Sequence, residues 1–551
     1  MFLPTETILV IILFSISVMP TASSPGERLF LTPMIESGEY ATAQQAARVL
    51  MSQDVEGFSG FITVDKTNEA NLFFWMIKPL DKHLDWEKAP VIIWLQGGPG
   101  ASSLFGLFTE IGPFYVNEAN HAGRHVPIKR RYSWCQKYNL LFIDNPVGAG
   151  FSFATKEAGY TKTMNDVTRH LYLFLLQFYR MFPQLAGNRL FLMGQSYAGK
   201  FIPELAKYIH ERNVEFLNHR KESSKQSKGS SKQGFFINKG SSKQSKESAD
   251  IKGDIRIPLE AIAIGNGFID PYNMMHYSDY MYQLGMIDDN GRTELQGLES
   301  ETRKYIKNKM YTKAVDHWDL IMNKILAWSQ LKESYDYVHD TKDSTAWRKY
   351  LDKASTRKAL HVGNQTFHYI NDEVRKRMLD DIMRSAKPAI EFLLKNDVCD
   401  VVIYSGQLDV LCAYPLTVNV FRKLEWNTPK TTRRLRGATW RWTRMLSATA
   451  SRPVASSRFC SVAADIWCPQ TARKWRPGSW TCLSIRERNS RSVRREQKSL
   501  ILMMRIEQNL GRIHWKKICL DLESRLLKTS TRKNTLDSIG FCLNREPSLL
   551  V

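Results

Sequence analysis

Five short apolar stretches in this chain each run directly into a turn rich in glycine or small polar residues. They read "VIIWLQGGPG", "NLLFIDNPVGAG", "RLFLMGQSYAG", "AIAIGNGF" and "VVIYSGQLD", and begin at residues 91, 139, 189, 261 and 401. Apolar runs of this length without polar alternation are typical of strands buried on both faces. Between the second and third lies "VTRHLYLFLLQFYRMF", which has a helical apolar period. This alternation predicts an α/β fold with a mostly parallel sheet.

Other segments have a different character. "GFSGFITVDKTNEANLFFWMIKP" predicts two strands joined by a polar turn. Residues 272–354 are rich in helix formers, which predicts a helical insertion, or cap, over the active edge of the sheet. Residues 221–248 contain a repeated "KGSSKQ" and little apolar surface, so we expect a disordered surface loop there.

The N-terminal apolar run from Ile8 to Met19 is too short to span a bilayer, and small residues follow it. It predicts a signal peptide over residues 1–23; an uncleaved membrane anchor is the alternative. A domain over residues 24–426 would follow. The sequon "NQT" at Asn364 predicts N-glycosylation in the secretory pathway, and no stable membrane anchor is expected.

The net charge of +22 is unevenly distributed. From Thr428 onward there are 26 Lys and Arg against 8 Asp and Glu, whereas the preceding residues hold 51 against 47. A basic tail that binds nucleic acid is one interpretation, but secretion and this distribution disfavour it. No C-x-x-C pair occurs, so neither a metal site nor a cofactor is predicted.

Ser196 lies between Gly194 and Gly199 immediately after an apolar run. A serine on a tight strand-to-helix turn is lifted clear of the sheet, and small neighbours let substrate approach it. The spacing here is G-x-S-x-A-G, with Ala198 in place of the usual second glycine. From this stretch alone, a structural serine and a catalytic nucleophile are equally consistent.

Six motifs in order resemble the serine carboxypeptidases, most closely their vitellogenic-like and insect venom-type members. They are "WLQGGPGASSLFGLF", "EIGPF", "LFIDNPVGAGFSF", "GQSYAGKFIPELA", "IAIGNGFIDP" and "YSGQLDV". The resemblance implies an α/β-hydrolase fold and removal of single residues from peptides with a free C-terminus. It implies no cofactor, and a secreted, lysosomal or vacuolar location.

Residue by residue, the resemblance implies roles for four positions. Ser196 matches the nucleophile and Asp409 the acid that orients the catalytic histidine. The N–H groups of Gly98 and Tyr197 match the oxyanion hole, whose donors stabilise the negative oxygen that forms during attack. An exposed turn aspartate is the alternative for Asp409.

Recognition of the substrate carboxylate is implied for Gln96 and Gln195, at positions where the family has asparagine and glutamic acid. A glutamine amide donates a hydrogen bond at any pH, so we expect no proton to be required in this set. Trp94 is a further substrate-binding candidate, and a plain core tryptophan is its alternative.

The histidine of the triad is missing from its expected context. After Asp409 the chain holds only His514, in "GRIHWKKICL", whereas the family's histidine lies in a "GHMVP"-like turn. The resemblance ends at Asn427, where the basic sequence begins. Regrouping the codons of "AADIWCP", residues 463–469, by one frame permits "GGHMVP". We therefore interpret residues 427–551 as an out-of-frame tail with no reason to fold; a true basic domain is the alternative.

The sequence thus predicts a serine carboxypeptidase acting through an acyl-enzyme, and near inactivity of the chain as written for lack of its base. Two alternatives stay open. One is a non-catalytic homologue that binds peptides or partners, and the other is an acyltransferase on the same scaffold.

Overall fold

The computed structural model of the protein describes residues 24–51, 55–117, 125–229, 255–338, 344–425, 436–442, 445–452 and 459–464. All of them fall within one compact unit, Met1–Lys474. The predicted signal peptide, residues 1–23, lies outside the described residues, and so does the part of the predicted disordered loop from residue 230 onward.

Fourteen strands are present in the described residues. They are β1 (Arg48–Met51), β2 (Val55–Asp65), β3 (Ala70–Ile77), β4 (Val91–Leu95), β5 (Phe114–Val116), β6 (Pro127–Lys129), β7 (Asn139–Ile143), β8 (Phe153–Ala154), β9 (Leu190–Gln195), β10 (Leu259–Gly265), β11 (Asp400–Ser405), β12 (Arg436–Trp442), β13 (Met445–Arg452) and β14 (Phe459–Ala464). Twelve form one sheet in the order β1-β2-β3-β7-β4-β9-β10-β11-β14-β13-β12, with β8 beside β3; β5 and β6 pair separately.

The middle of the sheet is parallel. Strands β7, β4, β9, β10, β11 and β14 run the same way, while antiparallel pairs flank them on both sides. Every residue of β4, β7 and β9 is buried, because separate apolar clusters cover the two faces of the sheet. The predicted α/β fold with a mostly parallel sheet is confirmed.

Fourteen α-helices accompany these strands in the described ranges. They are α1 (Thr32–Glu36), α2 (Tyr40–Ala46), α3 (Met164–Met181), α4 (Ala198–Gly229), α5 (Pro271–Met274), α6 (Tyr277–Gln283), α7 (Asp289–Lys307), α8 (Tyr311–Ser329), α9 (Ala346–Leu351), α10 (Ala354–Ala359), α11 (Asp372–Arg377), α12 (Leu379–Ile382), α13 (Lys387–Lys395) and α14 (Tyr414–Phe421). Helices α5 to α9 fall in the segment predicted to be helical. Within the described part of the chain, no helix is both long and apolar enough to span a bilayer.

Helix α3 shows how sequence sets an element's start. Thr163 accepts a hydrogen bond from the Asp166 N–H, and the Asp166 carboxylate accepts one from the Thr163 N–H. This reciprocal capping box satisfies main-chain donors that the first turn leaves unpaired. The helix then buries its apolar face against the sheet, as its period predicts.

Two sequence expectations are wrong in part. The predicted disordered loop begins too early, because α4 continues through residues 221–229; lysine, glutamate and glutamine are good helix formers there. The tail expected not to fold contributes β12 to β14, which extend the sheet beyond β11. Strand pairing uses main-chain groups, so an open sheet edge accepts an extended segment regardless of its reading frame.

Candidate active site

Ser196 occupies a sharp turn between a strand and a helix. Strand β9 ends at Gln195 and α4 begins at Ala198, which leaves two residues for the turn. Ser196 has φ of +58°, the left-handed region that side chains other than glycine rarely adopt. Its N–H donates to Gly265 O (3.1 Å), and its carbonyl accepts from the N–H groups of Gly199 and Phe268 (both 2.9 Å). Such strain, held by its surroundings, is typical of a catalytic nucleophile.

A glycine loop packs directly on this turn. A Cβ at Gly97 would lie 2.6 Å from the Tyr197 nitrogen and 2.7 Å from the Ser196 Cβ, so only glycine fits there. The following residue, Gly98, has φ of +109°. Among the described residues, neither the Gly98 nor the Tyr197 N–H has a hydrogen-bond acceptor. Two free donors beside a strained serine are the geometry of an oxyanion hole.

Asp409 is almost fully buried, with 3 % of its surface exposed. Its carboxylate accepts hydrogen bonds from Asn266 Nδ2 (2.7 Å) and from the Cys412 N–H (3.1 Å). Burial raises the pKa of this carboxyl to about 7, although both hydrogen bonds oppose the rise. In the described ranges no histidine hydrogen bonds to Asp409 or to Ser196.

The predicted nucleophile and acid line one pocket. Its wall contains Gln195, Ser196, Asn266, Tyr335, Asp409, Leu411 and Cys412. The wall opposite the sheet comes from the helical insertion: Val410 N–H donates to Ser334 O, and Tyr337 N–H donates to Leu408 O. The insertion therefore reaches the chemistry directly and does not merely cover it.

The two predicted carboxylate-binding amides, Gln96 and Gln195, meet at a carboxyl group that the sequence analysis missed. Gln195 Nε2 donates to Glu110 Oε1, and Gln96 also hydrogen bonds to this carboxyl. Desolvation raises the pKa of Glu110 to about 8, so it holds its proton at neutral pH. Its buried Oε2 has no hydrogen-bond partner among the described residues. The sequence analysis did not anticipate a protonated carboxyl group beside these two amides.

Glu110 ends a π-helical turn, Gly106–Glu110, that the Arg130 side chain holds in place. The guanidinium donates to the carbonyl oxygens of Phe108 (2.6 Å) and Gly112 (3.1 Å). Its charge also lowers the pKa of Glu110, against the larger effect of burial. Glu110 is the first residue of the motif "EIGPF", but the motif does not predict that Glu110 lies next to Gln195.

Trp94 is not among the residues that line the pocket of Ser196, which favours the alternative of a core tryptophan over a substrate-binding role. It is fully buried in β4, and its indole N–H donates to Gln96 Oε1 at 2.9 Å. A Cβ at Gly106 would lie 2.2 Å from its indole nitrogen, so the π-helical turn packs directly on the ring. Trp94 thus supports Gln96 from the core.

Asn364, the predicted glycosylation site, is exposed.

Comparison with known proteins gives consistent relatives. The sequence model described as serine carboxypeptidase matches residues 49–224 and 229–443. Venom serine carboxypeptidase of Apis mellifera is 38% identical over 416 residues, which cover 73% of this chain and 79% of the relative. Vitellogenic carboxypeptidase of Aedes aegypti is 33% identical over 416 residues, 73% of this chain and 78% of the relative.

A solved structure has the same architecture. The prohormone-processing carboxypeptidase Kex1(Δ)p of Saccharomyces cerevisiae superposes with a TM-score of 0.57, over 76% of this chain and 91% of that one, at 20% identity. At that identity the likeness supports the fold alone.

Proposed function

The chain belongs to the serine carboxypeptidase family, and from that membership we propose that Ser196, Asp409 and the N–H groups of Gly98 and Tyr197 are its catalytic groups. The protein is a hydrolase that acts on peptides. The observation that carries the assignment is the strained Ser196, which faces two unpaired main-chain donors and shares a pocket with Asp409. Together these groups suit acyl transfer from a peptide to water.

The chemistry follows from these groups. Ser196 Oγ attacks the carbonyl of the last peptide bond while a base takes its proton, and the oxyanion accepts hydrogen bonds from Gly98 and Tyr197. The C–N bond breaks, the departing amino acid takes the proton, and an acyl-enzyme remains. Water then attacks the ester and releases the shortened peptide. Asp409 orients the base and stabilises it once it is charged.

The exopeptidase specificity needs a group that binds the free carboxylate of the substrate. We assign this task to Glu110 together with Gln195 and Gln96. A protonated Glu110 donates its proton through Oε2, the atom left without a partner, and its Oε1 is already occupied by Gln195. Once ionised, Glu110 would repel the substrate instead.

The general base is proposed to be the histidine of the restored reading frame. Strand β14 pairs in parallel with β11, with Ser405 opposite Ala463. The shifted reading frame permits histidine from the codons of residues 465 and 466, if the Asp465 codon is GAC, immediately after the described end of β14 at Ala464. Strand β11 leads into the turn that holds Asp409. The frame slip near Asn427, with the histidine encoded but not translated in this chain, rests on the codon regrouping of residues 463–469 and not on this pairing.

Without that histidine a second function is supported, namely peptide binding without hydrolysis. The specific observation is that Asp409 and Ser196 have no hydrogen-bonded histidine in the described part of the chain. The recognition groups for a C-terminal carboxylate are all present in it. We further propose a secretory location, which the exposed Asn364 sequon supports.

The test compares two proteins expressed in the same host, the chain as written and a version with the frame restored after Asn427. The restored protein should release the C-terminal residue from an N-blocked dipeptide, and an organophosphorus fluoride should label Ser196. Ser196→Ala should abolish both. Hydrolysis that survives Ser196→Ala would overturn the assignment, and so would equal activity of the unrestored chain, because its base would then lie elsewhere.

A further inference from the structure

Asn266 lies between the two halves of the catalytic machinery. It follows directly after β10, in the "IAIGNGF" motif, and β10 separates β9 from β11 in the sheet. Its neighbours are tied to the nucleophile: Gly265 O accepts from the Ser196 N–H, and the Phe268 N–H donates to Ser196 O. Its own N–H donates to Tyr404 O in the acid-bearing strand at 2.9 Å. One short loop thus connects the Ser196 turn with the Asp409 turn.

The Asn266 side chain is 5 % exposed, and both ends of its amide are used. Its Oδ1 accepts from the Gly406 N–H at 2.8 Å. Since a main-chain N–H can only donate, this contact fixes which side of the amide is oxygen. Nδ2 must therefore face the other way, where it donates to Asp409 Oδ2 at 2.7 Å and lies 3.4 Å from Gly406 O.

We propose that Asn266 is the positioning residue of the catalytic acid: its amide favours the ionised form of the Asp409 carboxylate and holds it in one orientation. This inference rests on the proposed role of Asp409. A buried carboxylate needs hydrogen-bond donors, and the other donors to Asp409 are the main-chain N–H groups of Cys412 and Leu411.

The rest of the carboxylate's surroundings strengthens the inference. The titratable side chains that face Asp409 are Tyr277, Tyr280, Tyr335 and Cys412, and each is neutral at neutral pH. Among the described residues, no cationic side chain contributes to its ionisation. Asn266 is therefore the side chain in this part of the structure that favours the charged form of Asp409.

The backbone offers a competing explanation. Asn266 has φ of +42°, and asparagine tolerates this left-handed conformation better than most residues. If conformation alone explained the residue, glycine would serve equally well, because it adopts positive φ at no steric cost. The side-chain proposal predicts instead that glycine keeps the fold and loses the function of the amide.

The first experiment needs no catalysis. Infrared difference spectra of the chain as written, recorded against its Asp409→Asn variant, isolate the carboxyl stretch of Asp409 and give its titration midpoint. Asn266→Gly should raise that midpoint by about one pH unit or more while thermal unfolding stays cooperative. Asn266→Asp, which places a second carboxyl 2.7 Å from the first, should raise it further. An unchanged midpoint in Asn266→Gly would overturn the proposal.

The second experiment uses the frame-restored enzyme. Asn266→Gly should lower kcat at least tenfold with little change in KM, and it should shift the acid limb of the pH profile upward. Asn273→Ala is the matched control, since Asn273 also donates to an aspartate, Asp270, but outside the pocket. A control that matches Asn266→Gly in both readouts would contradict a specific role. The infrared titration does not require hydrolysis. If the frame-restored enzyme proved inactive, the proposed function would fail, but the infrared titration of Asp409 would still test the role of Asn266.

Discussion

The Gln195 amide donates a hydrogen bond to the buried carboxyl of Glu110, so the residue that precedes the proposed nucleophile also holds the acid that we propose as the receptor of the substrate carboxylate. This contact joins β9 to the π-helical turn after the first glycine loop. It places carboxylate recognition one residue from the attacking serine. If the chain end of the substrate stops at Glu110, as we propose, only the last residue of a peptide would be cut.

The pKa of Glu110 therefore sets an alkaline limit for exopeptidase activity. Below about pH 8 the carboxyl is protonated and donates to the substrate; above it, the ionised form repels a free carboxylate. In the frame-restored enzyme, kcat/KM on a free-carboxylate dipeptide should fall above pH 8, while an amidated substrate should show no such fall. Glu110→Gln should remove the fall. Gln195→Glu should move it, because a second acid would be coupled to the first.

A fall at the same pH in Glu110→Gln would contradict this assignment. The pH profiles of kcat/KM for the two substrates, measured on each variant, provide the comparison. At acid pH, kcat/KM of the frame-restored enzyme depends on its catalytic histidine, which must be neutral to act as a base.

Gly97 is a position where even the smallest side chain should impair catalysis directly. A methyl group there would meet the Tyr197 nitrogen at 2.6 Å, and this atom belongs to one of the two proposed oxyanion donors. Gly97→Ala should lower kcat by about 100-fold or more, the usual effect of losing one such donor. Gly187→Ala is the control, because a Cβ there has no atom within 4 Å. Equal kcat values for these two variants would remove Gly98 and Tyr197 from the mechanism.

Stability should fall as the pH rises from 6.5 to 8. Burial raises the pKa values of Glu299 and Asp409 to about 7 and that of Glu110 to about 8, so the folded state keeps protons that the unfolded chain has already released. For carboxyls raised in this way, the stabilising contribution is present at low pH and is lost as the pH rises through the folded pKa. His170, whose pKa is lowered to about 4, acts oppositely, but only below pH 6.5.

Glu299→Gln tests this directly in the chain as written. Glu299 accepts hydrogen bonds from the Ser278 N–H and hydroxyl, and glutamine offers an oxygen of the same shape without a titrating proton. The rise in the Glu299 pKa from 4.5 to about 7 corresponds to roughly 3 kcal/mol across the full titration. Chemical denaturation at pH 6.5 and 8 should show a smaller decrease for the variant. An unchanged decrease would mean that Glu299 does not titrate in this window.

Asn364 should carry a glycan when the protein passes through a eukaryotic secretory pathway. The side chain is exposed, as an acceptor site must be. Treatment with an amidase that removes N-linked glycans should reduce the mass of the secreted protein and convert Asn364 to aspartate in its peptide. Thr366→Ala should abolish both changes. A secreted protein with an unmodified Asn364 peptide would contradict the prediction.

Local sequence predicted the strand ends and the turns that hold Ser196 and Asp409, whereas their catalytic roles came from the family resemblance and stay proposals. The apolar run before Ser196 and the small residues around it imply both the strand and the turn, and Asp409 follows a strand in the same way. Glu110 could not be placed, since its contact with Gln195 depends on how a π-helical turn folds back on Trp94. Composition also cannot distinguish a core tryptophan from one that lines a pocket.

The strands beyond residue 425 illustrate a different limit. The out-of-frame interpretation predicted no folded structure, yet β12, β13 and β14 continue the sheet. Side-chain pattern predicts which face of a strand is buried, but it does not predict whether an open edge will recruit another strand. The helix over residues 221–229 shows a similar limit. Its polar composition does not predict that the preceding helix extends into it.

Strands β10 and β11 stay in register, from Ala261 opposite Asp400 to Gly265 opposite Tyr404, although helices α5 to α13 all lie between them in the chain. The sheet, and not the intervening segment, fixes the positions of the two ends of that segment. Its length can therefore change without moving Ser196 relative to Asp409. Exchanging between relatives the part of it that supplies Tyr335 to the pocket should alter substrate preference and leave the reaction unchanged.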